Sequence, residues 1–361
     1  MIPIAKPQLD EAEIEAVTNV LRSGIIAEGP RVAEFEQEFA DYTGTEYAVA
    51  VNSGTAALHA ALFAHGIGKG DEIITSSFSF IATANSILFT GARPVFADIK
   101  SDTFNLDPQL IEEKITPATK AIMPVHLYGH PADMGLMNDI AEDHDLILIE
   151  DACQAHGAIY NGKKVGSFGT GAFSFYPTKN MTTSEGGIIT TDNKEVADRA
   201  RMIRAHGSKQ RYLHEMLGYN LRMTDISAAI GMVQLKRLPY YIETRKRNAK
   251  MLTDKLQGIE GIECPMVRKD CEHVFHQYTI RTKNRDHLAD YLKEKDIGSG
   301  IYYPIPIHRQ PYYKELGYND NLLVTEKASR EVLSLPVHPA VTENDINTIS
   351  NAIKQWSDAQ C

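Results

Sequence analysis

From Tyr47 onward the chain alternates short β-rich apolar runs with stretches of helical spacing. YAVAVN (47–52), EIITSS (72–77), RPVFADI (93–99), AIMPVHLY (121–128) and LILIED (146–151) read as strands. GTAALHAALFAHG (54–66), FIATANSILFTG (80–91), DPQLIEEKI (107–115) and DMGLMNDIAEDHD (133–145) carry helical apolar spacing. Parallel strands need long crossovers, and a helix is the usual one. The rhythm therefore predicts βαβ units and a mostly parallel sheet covered on both faces, an α/β fold.

After residue 170 the rhythm changes. GAFSFY (171–176) and GGIITTD (186–192) read as two strands joined by a loop that carries Lys179. A helical region is expected from about 194 to 257, with a kink or break at Pro239. HVFHQYTIRT (273–282), RDHLADYLKEK (285–295), IYYPIPIH (301–308) and ENDINTISNAIKQW (343–356) suggest a smaller C-terminal α/β domain. A chain of 361 residues suits two domains, and the division is drawn as 1–240 and 241–361.

A formal net charge of −10 argues against a nucleic-acid surface. MIPIAKPQLDEAE lacks the basic-then-apolar pattern of a signal peptide, and no apolar run is long enough to span a bilayer. These features place the protein in the cytoplasm, with no membrane partner. Cys153, Cys264, Cys271 and Cys361 form no CxxC pair and read as free thiols. There is no HExxH and no cluster of histidines, so no catalytic metal is expected. GIGKG (66–70) and GSFGTG (166–171) mimic dinucleotide loops but precede strands, so they read as turns.

Ligands of open parallel sheets bind outside the carboxyl ends of the strands. Ser53, Gly54 and Thr55 follow a strand and open a helix, which suits a phosphate; an ordinary N-cap explains them too. Asp151 ends the apolar run LILIED. A carboxylate there needs compensation: a structural ion pair, the cap of a turn, or a protonated ring nitrogen. Lys179 lies in SFYPTKNMTTSEGG (174–187), a largely neutral segment. It reads either as a surface lysine or as a desolvated amine suited to imine chemistry. Ser174, just before it, is placed to reach the same anion as Thr55. Phosphate site, acid and lysine, each after a different strand, together fit pyridoxal phosphate.

The chain resembles the DegT/DnrJ/EryC1/StrS aminotransferases over nearly its whole length. The resemblance is carried by NSGTAALHAAL, SFSFIATANSILFTGARPVFADI, PVHLYGHPADM, IEDACQAHGA, SFYPTKNMTTSEGG, GYNLRMTDISAAIGMVQLKRL and YYPIPIHRQP, in the family's order. It implies a fold of the aspartate-aminotransferase type, pyridoxal phosphate fold type I. It implies that Lys179 binds the coenzyme and then moves a proton, and that Asp151 pairs with the ring nitrogen. By the same resemblance Phe80 stacks on the ring and Gln154 lies near its phenolic oxygen. Gly54, Thr55 and Ser174 hold the phosphate, and Asn220 completes that site from a neighbouring subunit, hence a homodimer. Tyr303 and His308 resemble residues near the substrate, whereas His156 and His206 read equally well as structural.

The implied reaction takes an amino group from an amino acid, L-glutamate, and gives it to a nucleotide-diphosphate-linked keto-sugar. The amino sugar formed is destined for a surface polysaccharide or related glycoconjugate. Two rivals follow from the same resemblance: a sugar dehydratase and a non-catalytic regulatory protein. Dehydratase relatives replace the lysine by histidine, which Lys179 argues against. Two positions depart from the family's pattern: Cys153 stands where alanine is common, and Ile25 where an aromatic is usual.

Overall fold

The structure is a computed structural model and describes residues 1–359; Cys361 lies outside them, while Cys153, Cys264 and Cys271 are free thiols. Two helices, α1 (Glu11–Ser23) and α2 (Pro30–Thr43), precede the first strand. The strands of the main sheet are β1 (Tyr47–Val51), β2 (Glu72–Ser76), β3 (Arg93–Ala97), β4 (Thr119–Met123), β5 (Ile147–Asp151), β6 (Thr170–Ser174) and β7 (Gly187–Thr191). Their order across the sheet is β1-β7-β6-β5-β4-β2-β3. All neighbours pair in parallel except β7, which runs antiparallel to both β1 and β6. The expected mostly parallel α/β sheet is thus present.

Both faces of the sheet are buried, and strand alternation distributes its side chains between them. Ala172 and Ile189 join Leu58 and Leu62 of α3 (Gly54–Ala64) on one face. Phe173 and Ile188 join Phe35 and Phe39 of α2 on the other. The same alternation separates two adjacent carboxylates. Glu150 turns into the loop after β5, where the amides of Gly166, Phe168 and Gly169 and the ring of His126 surround it. Asp151 turns the opposite way, towards Thr83.

Helices α4 (Ala82–Thr90), α5 (Met134–Asp143) and α6 (Lys194–Arg204) follow β2, β4 and β7. Three local expectations are corrected. Residues 107–115 form two 3₁₀ turns, Pro108–Leu110 and Glu112–Lys114, not an α-helix. A helix so short gains little from cooperativity, and the turns serve to bury Pro108 and Ile111. Residues 205–224 leave the helical path through a small hairpin, Ser208–Gln210 with Leu213–His214. Pro239 does not break α7 (Asp225–Leu256), a helix of 32 residues. A proline inside a helix costs about 3 kcal/mol, and burial of Leu235, Leu238 and Ile242 around it outweighs that penalty.

The C-terminal part of α7 belongs to a separate core. Leu252 and Leu256 pack with Leu288 and Leu292 of α8 (Arg285–Glu294). A short helix, α9 (Pro311–Glu315), and α10 (Leu323–Glu331) follow in the chain. Ile349, Ile353 and Trp356 of α11 (Glu343–Asp358) close this core over an antiparallel pair, β8 (Tyr278–Arg281) and β9 (Val332–Leu335). Among the described residues no helix is long and apolar enough to cross a membrane.

Candidate active site

A cavity of about 400 Å³ opens at the carboxyl ends of β1, β2, β5 and β6. Gly54, Thr55, Phe80, Asp151, Gln154, Ser174, Lys179 and Tyr303 all line it. The sequence scatters these residues over 250 positions, and the strand ends bring them together. Asn220 and His308 are not among the lining residues.

One end of the cavity is built for an anion. Ser53 caps α3 by accepting the Ala56 amide at 3.1 Å, so the ordinary capping reading holds for that residue. Thr55 remains, and its hydroxyl has no hydrogen-bond partner among the described residues. The helix dipole adds positive potential at the same place. Gly54 is required by close approach. A Cβ there would lie 2.5 Å from Ser174 Cβ and 2.9 Å from its Oγ. Gly54→Ala therefore displaces Ser174 and closes the cradle. Overpacking of this kind costs about 1–3 kcal/mol, so the apparent coenzyme Kd is expected to rise about tenfold. Absorbance titration of the apoprotein measures it, and an unchanged Kd would refute the cradle.

Asp151 lines the same cavity and is almost fully buried. Thr83 Oγ1 donates to its Oδ2 at 2.7 Å, and the Cys153 amide donates to Oδ1 at 3.2 Å. Ser79 Oγ lies 2.7 Å from Thr83 Oγ1. The single Thr83 proton goes to the carboxylate, so Ser79 must donate to Thr83. No Lys, Arg or His forms a salt bridge with Asp151 among the described residues. Its charge is thus oriented and hydrogen-bonded, with no cation in salt-bridge contact among the described residues.

Lys179 faces that carboxylate from the turn after β6. Its Nζ makes no salt bridge or hydrogen bond among the described residues. Burial lowers its pKa from the ordinary lysine value, and Cys153 and Asp151 oppose that shift without reversing it. Lys179 is half-buried, and the direction of its pKa shift accords with the reading of it as an amine suited to imine chemistry. Phe80, half-exposed, presents its ring to the cavity with a centroid 6.1 Å from that of Tyr303.

His308 is placed elsewhere and has no nitrogen left for a ligand. It is fully buried, with Nδ1 2.6 Å from Ser77 Oγ and Nε2 3.3 Å from Glu326 Oε1. Its expected place beside the substrate is corrected to a strut between the β2 end and α10. Asn220 is exposed, and its carbonyl accepts from Asn52 Nδ2 at 3.4 Å. His156 packs against Phe173 and Phe175, with burial depressing its pKa to about 3. His206 is exposed, and its ring meets Arg222.

Sequence reasoning missed Thr83, Ser79, His276 and Glu185, all of which line the cavity. Thr83 stands one helical turn beyond Phe80, so the spacing offered a signal for it; Glu185 lies in the same loop as Lys179.

The anion cradle, the buried carboxylate and the amine of lowered basicity fit the phosphate, ring nitrogen and aldehyde of pyridoxal phosphate. Fold and site together define a pyridoxal phosphate enzyme of fold type I. The chain belongs to the DegT/DnrJ/EryC1/StrS aminotransferase family, which it matches over residues 7–354. It is 44% identical over 97% of its length to a pleiotropic regulatory protein of Geobacillus stearothermophilus, covering 95% of that protein. With GDP-perosamine synthase of Caulobacter vibrioides it shares 42% identity, over 98% of each chain. Among solved structures, S. venezuelae DesV in complex with a ketimine intermediate superposes with a TM-score of 0.93. The two are 40% identical, and the match covers 96% of this chain and 94% of DesV.

Proposed function

We propose that this enzyme moves an amino group from an amino acid, L-glutamate, to a nucleotide-diphosphate-linked keto-sugar. The observation that carries the reading is Lys179: an unpaired amine of lowered basicity, in one cavity with an uncompensated carboxylate and an anion cradle. The relatives support the acceptor class, since GDP-perosamine synthase is a nucleotide-sugar enzyme by name. The product amino sugar would serve a surface polysaccharide or related glycoconjugate, made in the cytoplasm.

When bound, pyridoxal phosphate supplies an aldehyde that condenses with amines and a ring that accepts electrons. Gly54, Thr55 and Ser174 would hold its phosphate, Phe80 would stack on its ring, and Gln154 would lie near its phenolic oxygen. Asp151 would keep a proton on the ring nitrogen, with Thr83 and the Cys153 amide fixing both carboxylate oxygens. Lys179 would anchor the coenzyme and, once the donor has taken its place, its Nζ would take the proton from the donor's α-carbon. Burial lowers the Lys179 pKa, which favours the unprotonated amine that this role needs. The division into a large domain, 1–240, and a small domain, 241–361, belongs to the same reading.

The partner subunit's Asn220 completes the phosphate site in a homodimer; its exposure here suits that role. The tests are direct. Purified enzyme with L-glutamate and a panel of keto-sugar nucleotides is expected to yield an amino sugar. A keto-deoxysugar product supports the dehydratase instead, and DNA retardation without any turnover supports the regulator. Mixing inactive Lys179→Ala and Asn220→Ala proteins is expected to restore up to a quarter of the activity, because mixed dimers carry one intact site. No recovery after verified subunit exchange overturns the shared site.

A further inference from the structure

Tyr128 lies outside the cavity, yet two of its groups control the wall of it. It is buried, in the left-handed conformation (φ 59°, ψ 2°), which residues with a Cβ rarely take. Such geometry persists only where the surroundings impose it. Here Asn105 imposes it: its Oδ1 accepts the Leu127 amide at 2.9 Å, and its Nδ2 donates to the carbonyls of His130 and Pro131, each at 3.0 Å. The left-handed turn aims the Tyr128 amide at Gln154 Oε1, 2.9 Å away. The Tyr128 hydroxyl donates to the carbonyl of Tyr302.

These contacts close a ring. Gln154 Nε2 donates to the Tyr303 hydroxyl at 3.1 Å, and Tyr303 follows Tyr302 in the chain. The ring also settles polarity. An amide oxygen that accepts the Tyr128 N–H must leave the NH₂ group on the cavity side. The Tyr303 oxygen accepts one of those hydrogens, so its own proton is free to point inward. Among the described residues that proton has no acceptor, and burial raises the Tyr303 pKa, keeping it a phenol at neutral pH.

We propose that Tyr128 is a positioning residue, which holds Gln154 and the Tyr302–Tyr303 segment so that the Tyr303 hydroxyl donates to an oxygen of the acceptor substrate. The ligand class is a carbonyl or hydroxyl oxygen on the acceptor, in keeping with the keto-sugar reading on which this inference rests. Tyr128 acts through Tyr303, so the two effects share one route and should not add.

Tyr128→Phe removes the hydroxyl contact with Tyr302 and leaves the backbone contact with Gln154. The expected result is an acceptor KM raised about tenfold, the worth of one hydrogen bond of about 1.4 kcal/mol. The donor-driven absorbance change should stay within twofold of wild type. Tyr303→Phe should raise the acceptor KM at least as much, and the double variant no further than Tyr303→Phe alone. Additive effects, or equal losses in both half-reactions, overturn the proposal. Hydrogen exchange supplies a readout that needs no acceptor. In Tyr128→Phe a peptide over 300–306 should exchange about tenfold faster, with β8 unchanged. If the wild-type enzyme aminates no sugar, the function reading fails; the exchange result still decides whether Tyr128 positions Tyr303, and unchanged exchange sinks it.

Discussion

Lys179→Ala is expected to lower transamination at least a thousandfold while leaving the chain folded. The variant lacks both the amine that anchors the coenzyme and the base that moves the proton. A positioned general base contributes about 10²–10⁴ on its own. The visible absorbance of coenzyme-loaded protein should vanish with the amine, and stopped-flow mixing with L-glutamate should show no rapid phase. Residual activity within tenfold of wild type would remove Lys179 from the mechanism.

Stability should move the other way, and its pH dependence identifies the cause. The folded-state pKa of Lys179 is lowered from 10.5, chiefly by burial. Between the lowered value and 10.5, the unfolded chain binds more protons than the folded one, so this site's contribution to stability rises with pH. Below the lowered value the full penalty of partly desolvating the ammonium is present. Apoprotein carrying Lys179→Met should therefore melt above wild-type apoprotein at neutral pH, and the gap should close as pH climbs towards 10.5. Calorimetry at pH 7 and pH 9.5 measures it. A variant that melts lower at neutral pH would show that the amine is stabilised by its surroundings.

How far the sequence revealed this site depends on whether a residue's partners lie close in the chain. Alternation of apolar runs announced the parallel sheet, and the sheet dictates that Thr55, Asp151 and Ser174 converge at its carboxyl edge. Asp151 was conspicuous because the run before it is apolar, so a charge there demands an explanation. His308 shows the opposite case. The segment around it resembles a substrate-facing motif, but its two hydrogen-bond partners, Ser77 and Glu326, lie 231 and 18 positions away. Nothing local signals that both nitrogens are taken. Thr83 was missed for a related reason: on paper it is an interior threonine of a helix, and only the fold sets it against a carboxylate 68 positions later. At Pro239 the break, one of the two outcomes expected, does not occur, because the cores packed along α7 hold the helix through it.

Asp151→Asn should reduce transamination by about two to three orders of magnitude, the range found when one preorganised electrostatic partner of a transition state is removed. The substitution preserves shape, so the loss isolates charge. In the native site both carboxylate oxygens are acceptors, one for Thr83 Oγ1 and one for the Cys153 amide. An amide keeps one oxygen for the Cys153 N–H and turns its NH₂ towards Thr83. The Thr83 hydroxyl can rotate to accept it and donate to Ser79, 2.7 Å away, so no buried polar group is left unpaired. The protein should therefore fold with a melting temperature close to wild type. A neutral amide cannot hold a proton on a ring nitrogen; the coenzyme then accepts electrons poorly, and the step that suffers is loss of the proton from the donor's α-carbon. Deuterium at that carbon should accordingly slow Asp151→Asn more than wild type, because proton removal becomes limiting. Full activity in Asp151→Asn, or an isotope effect no larger than in wild type, would mean that the buried carboxylate serves the fold and not the reaction.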